Sequence, residues 1–149
     1  MSIVQDSRVI EEIELVVAHY ARFADTKQWD KFFQLFTDDV EVHYDGVVRI
    51  NPDQPTSLSI KGRDKYIGLF ANIMIDWITI HQMFMPEILI TGPYTATGIW
   101  AMHDFVITPN CVFNGWGHYH HEYRKIEGAW KIAKNRTTRT HTEEKWLNH

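Results

Sequence analysis

Two residue types set far apart in this chain could do acid/base chemistry if the fold brought them together. Asp25 opens the run Asp25-Thr26-Lys27-Gln28-Trp29-Asp30, which closes an amphipathic helix, and His81 lies in the apolar strand-like run Ile78-Thr79-Ile80-His81-Gln82-Met83-Phe84. A carboxylate at a helix end and an imidazole on a strand can meet only across the inside of a fold. There the acid would hold the imidazole in one tautomer and make it a better proton acceptor. Strand alternation places Thr79, His81, Met83 and Met85 on one face and Ile78, Ile80, Gln82 and Phe84 on the other. Asp30, just past Trp29, reads as a surface acid.

A second carboxylate is available in Gly98-Ile99-Trp100-Ala101-Met102-His103-Asp104-Phe105-Val106. One strand face carries Trp100, Met102, Asp104 and Val106, and the other carries Ile99, Ala101, His103 and Phe105. Only one of the neighbours His103 and Asp104 can point inward. With the Trp100 face inside, the favoured choice, Asp104 becomes an auxiliary acid beside His81 and Trp100 and Met102 line the interior. The run Gly117-His118-Tyr119-His120-His121-Glu122 puts His118, His120 and Glu122 on one face, which raises a metal site. The spacing fails to match any familiar ligand set, so no metal and no cofactor is expected. In the polar run Lys134 to Thr140, Arg136 or Arg139 could orient an anionic group at a pocket rim.

The elements that must position these groups are helices first and strands afterwards. Val9, Ile10, Ile13, Val16, Val17, Tyr20 and Phe23 recur at helical spacing, with Asp6 or Ser7 as the expected cap. A short helix is expected over Trp29–Phe36, with Phe32, Phe33 and Phe36 inward, and a strand over Val40–Tyr44. Asn51–Ser57 reads as a loop, and Gly62-Arg63-Asp64 opens a third helix bearing Tyr66, Ile67, Phe70, Ile73 and Met74. Four strands follow, near Trp77–Ile90, Ala96–Ile107, Phe113–Ile126 and Ala129–His141, with turns at Gly92-Pro93 and Glu127-Gly128. Segregated helices and strands predict a single α+β domain.

Composition narrows the function classes. The 149 residues suffice for one packed domain, and the aromatic residues (6 Trp, 6 Tyr, 8 Phe) could fill a core or line an apolar cavity. A formal charge of −4 gives no basic footprint for nucleic acid. The single cysteine, Cys111, excludes an internal disulfide. The first residues lack a secretory pattern and no apolar run could span a bilayer, so a soluble, cytoplasmic protein without a membrane partner is expected.

Taken in order, the helix ending in Asp-Thr-Lys-x-Trp-Asp, the strand ending in His43-Tyr44, the third helix and the long strands closed by Tyr123-Arg124-Lys125-Ile126-Glu127-Gly128-Ala129-Trp130 resemble the SnoaL-like branch of the NTF2-like superfamily. Within it the motifs are most similar to those of the scytalone dehydratases. The resemblance implies a cone: a strongly bent antiparallel or mixed sheet wrapped around the helices over an internal hydrophobic pocket. It implies that His81 is the general acid/base, Asp25 its partner and Tyr44 a hydrogen-bond donor to a leaving or enolic oxygen. Tyr119 and His121 would face inward as substrate contacts, with Met83, Trp100 and Met102. Ala24, Gly117 and Tyr119 depart from that family's substrate-reading residues, so scytalone itself is not the expected substrate. The implied activity is a cofactor-independent lyase, a dehydratase-type β-elimination, on a small apolar cyclic or aromatic molecule. Isomerases, polyketide cyclases and non-catalytic subunits of ring-hydroxylating oxygenases share the fold and remain alternatives. A bent sheet with no helix over its outer face predicts a homodimer or homotrimer joined through Ile78, Ile80, Phe84, Ile99 and Phe105.

Overall fold

The computed structural model describes residues 2–147. Helix α1 runs over Ile3–Asp25 and buries Val9, Ile13, Val17, Tyr20, Phe23 and Ala24 along one stripe. Its cap is Ser2, not Asp6 or Ser7. The Ser2 hydroxyl accepts from the Gln5 N–H while the Gln5 side chain accepts from the Ser2 N–H, a reciprocal box that starts the helix a turn earlier. Helix α2 covers only Trp29–Phe33, and Phe36 opens strand β1, Phe36–Asp45. Phe32 and Phe36 are buried as expected although the helix stops short, while Phe33 is only half-buried with the Arg63 guanidinium over its ring.

The segment between β1 and helix α3 (Arg63–Ile73) contains a strand that apolar periodicity did not reveal, β2, Ser57–Lys61. Its Ser-Leu-Ser-Ile-Lys sequence buries Ile60 and half-buries Leu58, too short a pattern to stand out after a proline-rich loop. Strands β3 (Ile78–Gly92), β4 (Thr95–Ile107), β5 (Cys111–Ile126) and β6 (Ala129–Trp146) complete a six-stranded sheet in the order β2-β1-β6-β5-β4-β3. All neighbours are antiparallel except β1 and β6, which run parallel, so the sheet is mixed. It curls around the three helices in the α+β cone expected from the sequence, and α1 packs along the edge strand β3.

Bulges aim the interior side chains. In β6, Tyr123 pairs Ile132 but Glu122 pairs Lys134, and Gly117 pairs Arg139 but Trp116 pairs His141. Ala133 and Thr140 are therefore extra residues, and each reverses which parity faces inward. Trp130 and Ile132 are buried before the first bulge, and Asn135 and Thr137 after it, with Arg139 continuing that face. The second bulge needs Gly117, where an added Cβ would stand 1.9 Å from the Thr138 carbonyl oxygen. In β3 a bulge between Phe84 and Glu87 accommodates Pro86.

The outer sheet face leaves Ile78 58%, Leu89 64%, Ile80 45% and Phe84 45% exposed, an apolar strip along the free edge. Ile99 and Phe105, grouped with them from sequence, are only half-exposed because β4 is flanked on both sides. Among the described residues, no helix is long and apolar enough to cross a membrane.

Gly117→Ala should cost about 3 kcal/mol or more, because backbone must retreat from the new methyl group. Urea unfolding read by tryptophan fluorescence measures that loss.

Candidate functional site

The last residue of α1 and the alternate residues of β3 build the site's centre. The Asp25 Oδ1 accepts from the Nδ1–H of His81 at 2.6 Å and from the Thr79 hydroxyl at 2.9 Å. Its Oδ2 accepts from the backbone N–H of His81 at 2.9 Å. These bonds select the Nδ1–H tautomer, leaving Nε2 with a free lone pair and no hydrogen-bond partner among the described residues. Burial pulls the His81 pKa down, but the Asp25 hydrogen bond and the charges of Asp104 and Asp25 outweigh it. Arg139 opposes them, and the net shift is upward.

His81 borders a cavity of about 330 Å³ whose walls are largely apolar, with Val47, Leu58, Leu69, Phe70, Met74, Trp77 and Val106 among them. Four tyrosines from four different elements are among its polar groups. Tyr20 on α1, Tyr44 on β1, Tyr66 on α3 and Tyr119 on β5 all line it. The Tyr44 and Tyr66 hydroxyls lie 2.8 Å apart, and the Tyr20 ring stands edge-on to His81 at 6.1 Å. Burial pushes the phenols of Tyr44, Tyr66, Tyr119 and Tyr20 upward, so all four remain protonated donors. The segment between β1 and β2 closes one side of the cavity. Arg49 holds it there, donating to the Pro52 and Gln54 carbonyls and to both carboxylate oxygens of Glu144.

Asp104 faces inward and lies directly across the β3–β4 ladder from His81. Both of its oxygens accept from Arg139, at 2.9 and 3.1 Å, so the expected free auxiliary acid is half of a buried ion pair. Arg139 is in the cavity wall, not at its rim, and its Nε–H is shared by the Asp45 and Gly46 carbonyls. Gly115 makes room for it, since a Cβ there would meet Nη1 at 2.4 Å. His103 lies outside, stacked on Trp116 at 4.8 Å and bonded to Asn114.

Four expected substrate contacts sit outside the cavity, each for a packing reason. Met83 and Trp100 line a separate groove between α1 and β3, under Val17, Ala18 and Ala21. Trp100 also commits its indole N–H to the Tyr123 hydroxyl. Met102 is buried against Arg139, whose Nη1 is 3.5 Å from its sulfur. His121 is stacked behind Tyr119 and bonded to Tyr123, and burial lowers its pKa to about 3, which keeps it neutral. His118 is exposed and His120 bonds Thr138, and no three described His, Cys, Asp or Glu residues converge as a metal site.

Tyr20, Tyr66, Thr79 and Arg139 also line the cavity without having been singled out as its catalytic groups. Tyr20 carried a signal: a residue with a polar tip on the buried stripe, one turn before Ala24. Arg139 was legible only as a rim candidate beside Arg136, because its inward direction depends on the Ala133 bulge.

The raised pKa of His81 has a definite stability consequence. A histidine whose folded pKa exceeds its unfolded value contributes stability below about pH 6.5, lost as pH rises through the folded pKa. Asp25→Asn should therefore destabilise most near pH 6 and progressively less in alkaline solution, as urea midpoints across that range would record.

Residues 5–136 match the SnoaL-like domain family. A probable cyclase from Gibberella zeae is 28% identical over 129 residues, covering 82% of this chain and 85% of that one. A candidate scytalone dehydratase from Novosphingobium aromaticivorans superposes with a TM-score of 0.77 at 20% identity, covering 97% of this chain and 93% of the other. The hexachlorocyclohexane dehydrochlorinase LinA-type3 from Novosphingobium barchaimii gives 0.77 at 17% identity, covering 96% and 94%. At such identities the structural likenesses establish the fold alone. The family match spans most of the sequence, and the chain belongs to the SnoaL-like family of the NTF2-like superfamily.

Proposed function

We propose that the protein is a cofactor-independent acid/base enzyme that eliminates water or another small group from an apolar cyclic or aromatic molecule. The observation that carries this reading is the Asp25–His81 pair at 2.6 Å, with Nε2 left free beside a largely apolar cavity. His81 takes a proton from carbon, and Asp25 stabilises the imidazolium that forms. Tyr44, within the tyrosine group, donates to the developing enolate or leaving oxygen. The imidazolium then returns its proton to the departing group. Arg139 places positive charge near the same region while Asp104 limits its net field.

The likeness to a probable cyclase favours a second reading, cyclisation or isomerisation, which starts from the same proton removal. A non-catalytic subunit would need neither a cavity nor a base with a free nitrogen. The outer apolar strip of β3 fits a second copy of this chain, and light scattering at micromolar concentration should return a dimer or trimer mass. A monomer would remove that assignment.

Turnover is tested on a panel of cyclic hydroxyketones, halogenated rings and enones. His81→Ala should fold and bind ligand but lose about 10²–10⁴ in turnover, the usual worth of a positioned acid/base group. Asp25→Asn should lose similarly or less, and Tyr44→Phe least, because Tyr66 and water remain nearby. Chelators should change nothing. Undiminished turnover in His81→Ala would sink the reading.

A further inference from the structure

Thr79 is the residue next to His81 on the cavity face of β3, and neither the acid/base reading nor the tyrosine group uses it. Its side chain is buried, and its hydroxyl donates to Asp25 Oδ1 at 2.9 Å. That is the same oxygen that accepts from His81 Nδ1 at 2.6 Å. Side chains two apart on a strand stand about 6–7 Å from one another, so a carboxylate oxygen between them can bridge both. A β-branched threonine has a restricted χ1, which fixes the direction of its hydroxyl. Asp25 is thus held from three sides, by the Thr79 hydroxyl, the His81 ring and the His81 backbone N–H.

We propose that Thr79 is a positioning residue for the dyad: its hydroxyl fixes which carboxylate oxygen faces the imidazole and moderates that oxygen's pull on the ring proton. This rests on the acid/base reading of the site. A donor shared on Oδ1 spreads the carboxylate's negative charge, so less of it remains to stabilise the imidazolium. Without the hydroxyl, the same oxygen would serve His81 alone and hold its proton more tightly. The other charged or polar groups facing the ring are Asp104 from β4, Arg139 from β6 and Tyr20 from α1, and Thr79 contacts none of them through a hydrogen bond. Thr79 therefore tunes the base through Asp25 and touches no reacting atom. The moderation matters near neutral pH, where a base held too tightly protonated cannot accept a substrate proton.

The test is a histidine NMR titration of the full chain without ligand, with the His81 signal identified by its absence in His81→Ala. Thr79→Val keeps the shape and removes the hydroxyl, and should move the His81 midpoint upward by about 0.5–1 unit, a ~3–10-fold tighter proton. Thr79→Ser should restore the wild-type midpoint, and Thr79→Ala provides the same test if valine packs poorly. The acidic limb of the turnover profile should move with the midpoint. A midpoint that stays or falls in Thr79→Val or Thr79→Ala overturns the inference. Asp25→Asn in the same series should lower it. If Asp25→Asn does so while the Thr79 variants do not move, Thr79 is idle and the dyad stands; if Asp25→Asn leaves it unchanged, the dyad itself fails.

Discussion

The capture of a sheet edge by one carboxylate is the constraint on which the site depends. Strand β3 ends the sheet, so the backbone N–H groups on its free side have no neighbouring strand. Asp25 takes one of them, from His81, and uses its other oxygen for the side chains on either side. Helix and strand are thereby locked in register, and the imidazole is held in one orientation. The arrangement runs against a local preference, since a carboxylate at a helix C-terminus meets the negative end of the dipole, roughly −0.5 of a charge. Three donors compensate for it, and such a compensated conflict is characteristic of residues placed for chemistry.

The cavity's polar floor follows a similar logic. Removing an arginine and an aspartate from water costs several kcal/mol for each ion, offset only by good geometry, which the two parallel Arg139–Asp104 bonds provide. Neutral phenols surround that pair, so the floor offers hydrogen-bond donors without a large net charge. The apolar ring of the proposed reading suits such a lining better than a multiply charged molecule does.

Much of the fold was legible because its signals were periodic. The buried stripe of α1 and the alternation of β4 and β5 follow from side-chain spacing. Asp104 faces inward with Trp100, Met102 and Val106, on the one parity that the sequence favoured. Illegible features depended on geometry that no local pattern encodes. The Ala133 bulge of β6 turned Arg139 inward, the packing of α1 over β3 drew Met83 and Trp100 out of the cavity, and Tyr119 screened His121. Inward-facing and cavity-lining are different properties, and strand parity predicts only the first. Strand β2 was missed because five residues with one buried isoleucine carry too little periodicity.

Placing His81 on an outermost strand also puts the dyad at the margin of the sheet most open to fraying. Only β4 holds β3 within the sheet, and the clasp by Asp25 is the seam where α1 and that strand part. Sheet margins fray at lower free energy than central strands. The imidazole therefore loses its partner while β1, β6 and β5 still form an intact shell. Opening at this seam is therefore the expected first step of unfolding, with the dyad apart while the inner strands are still paired.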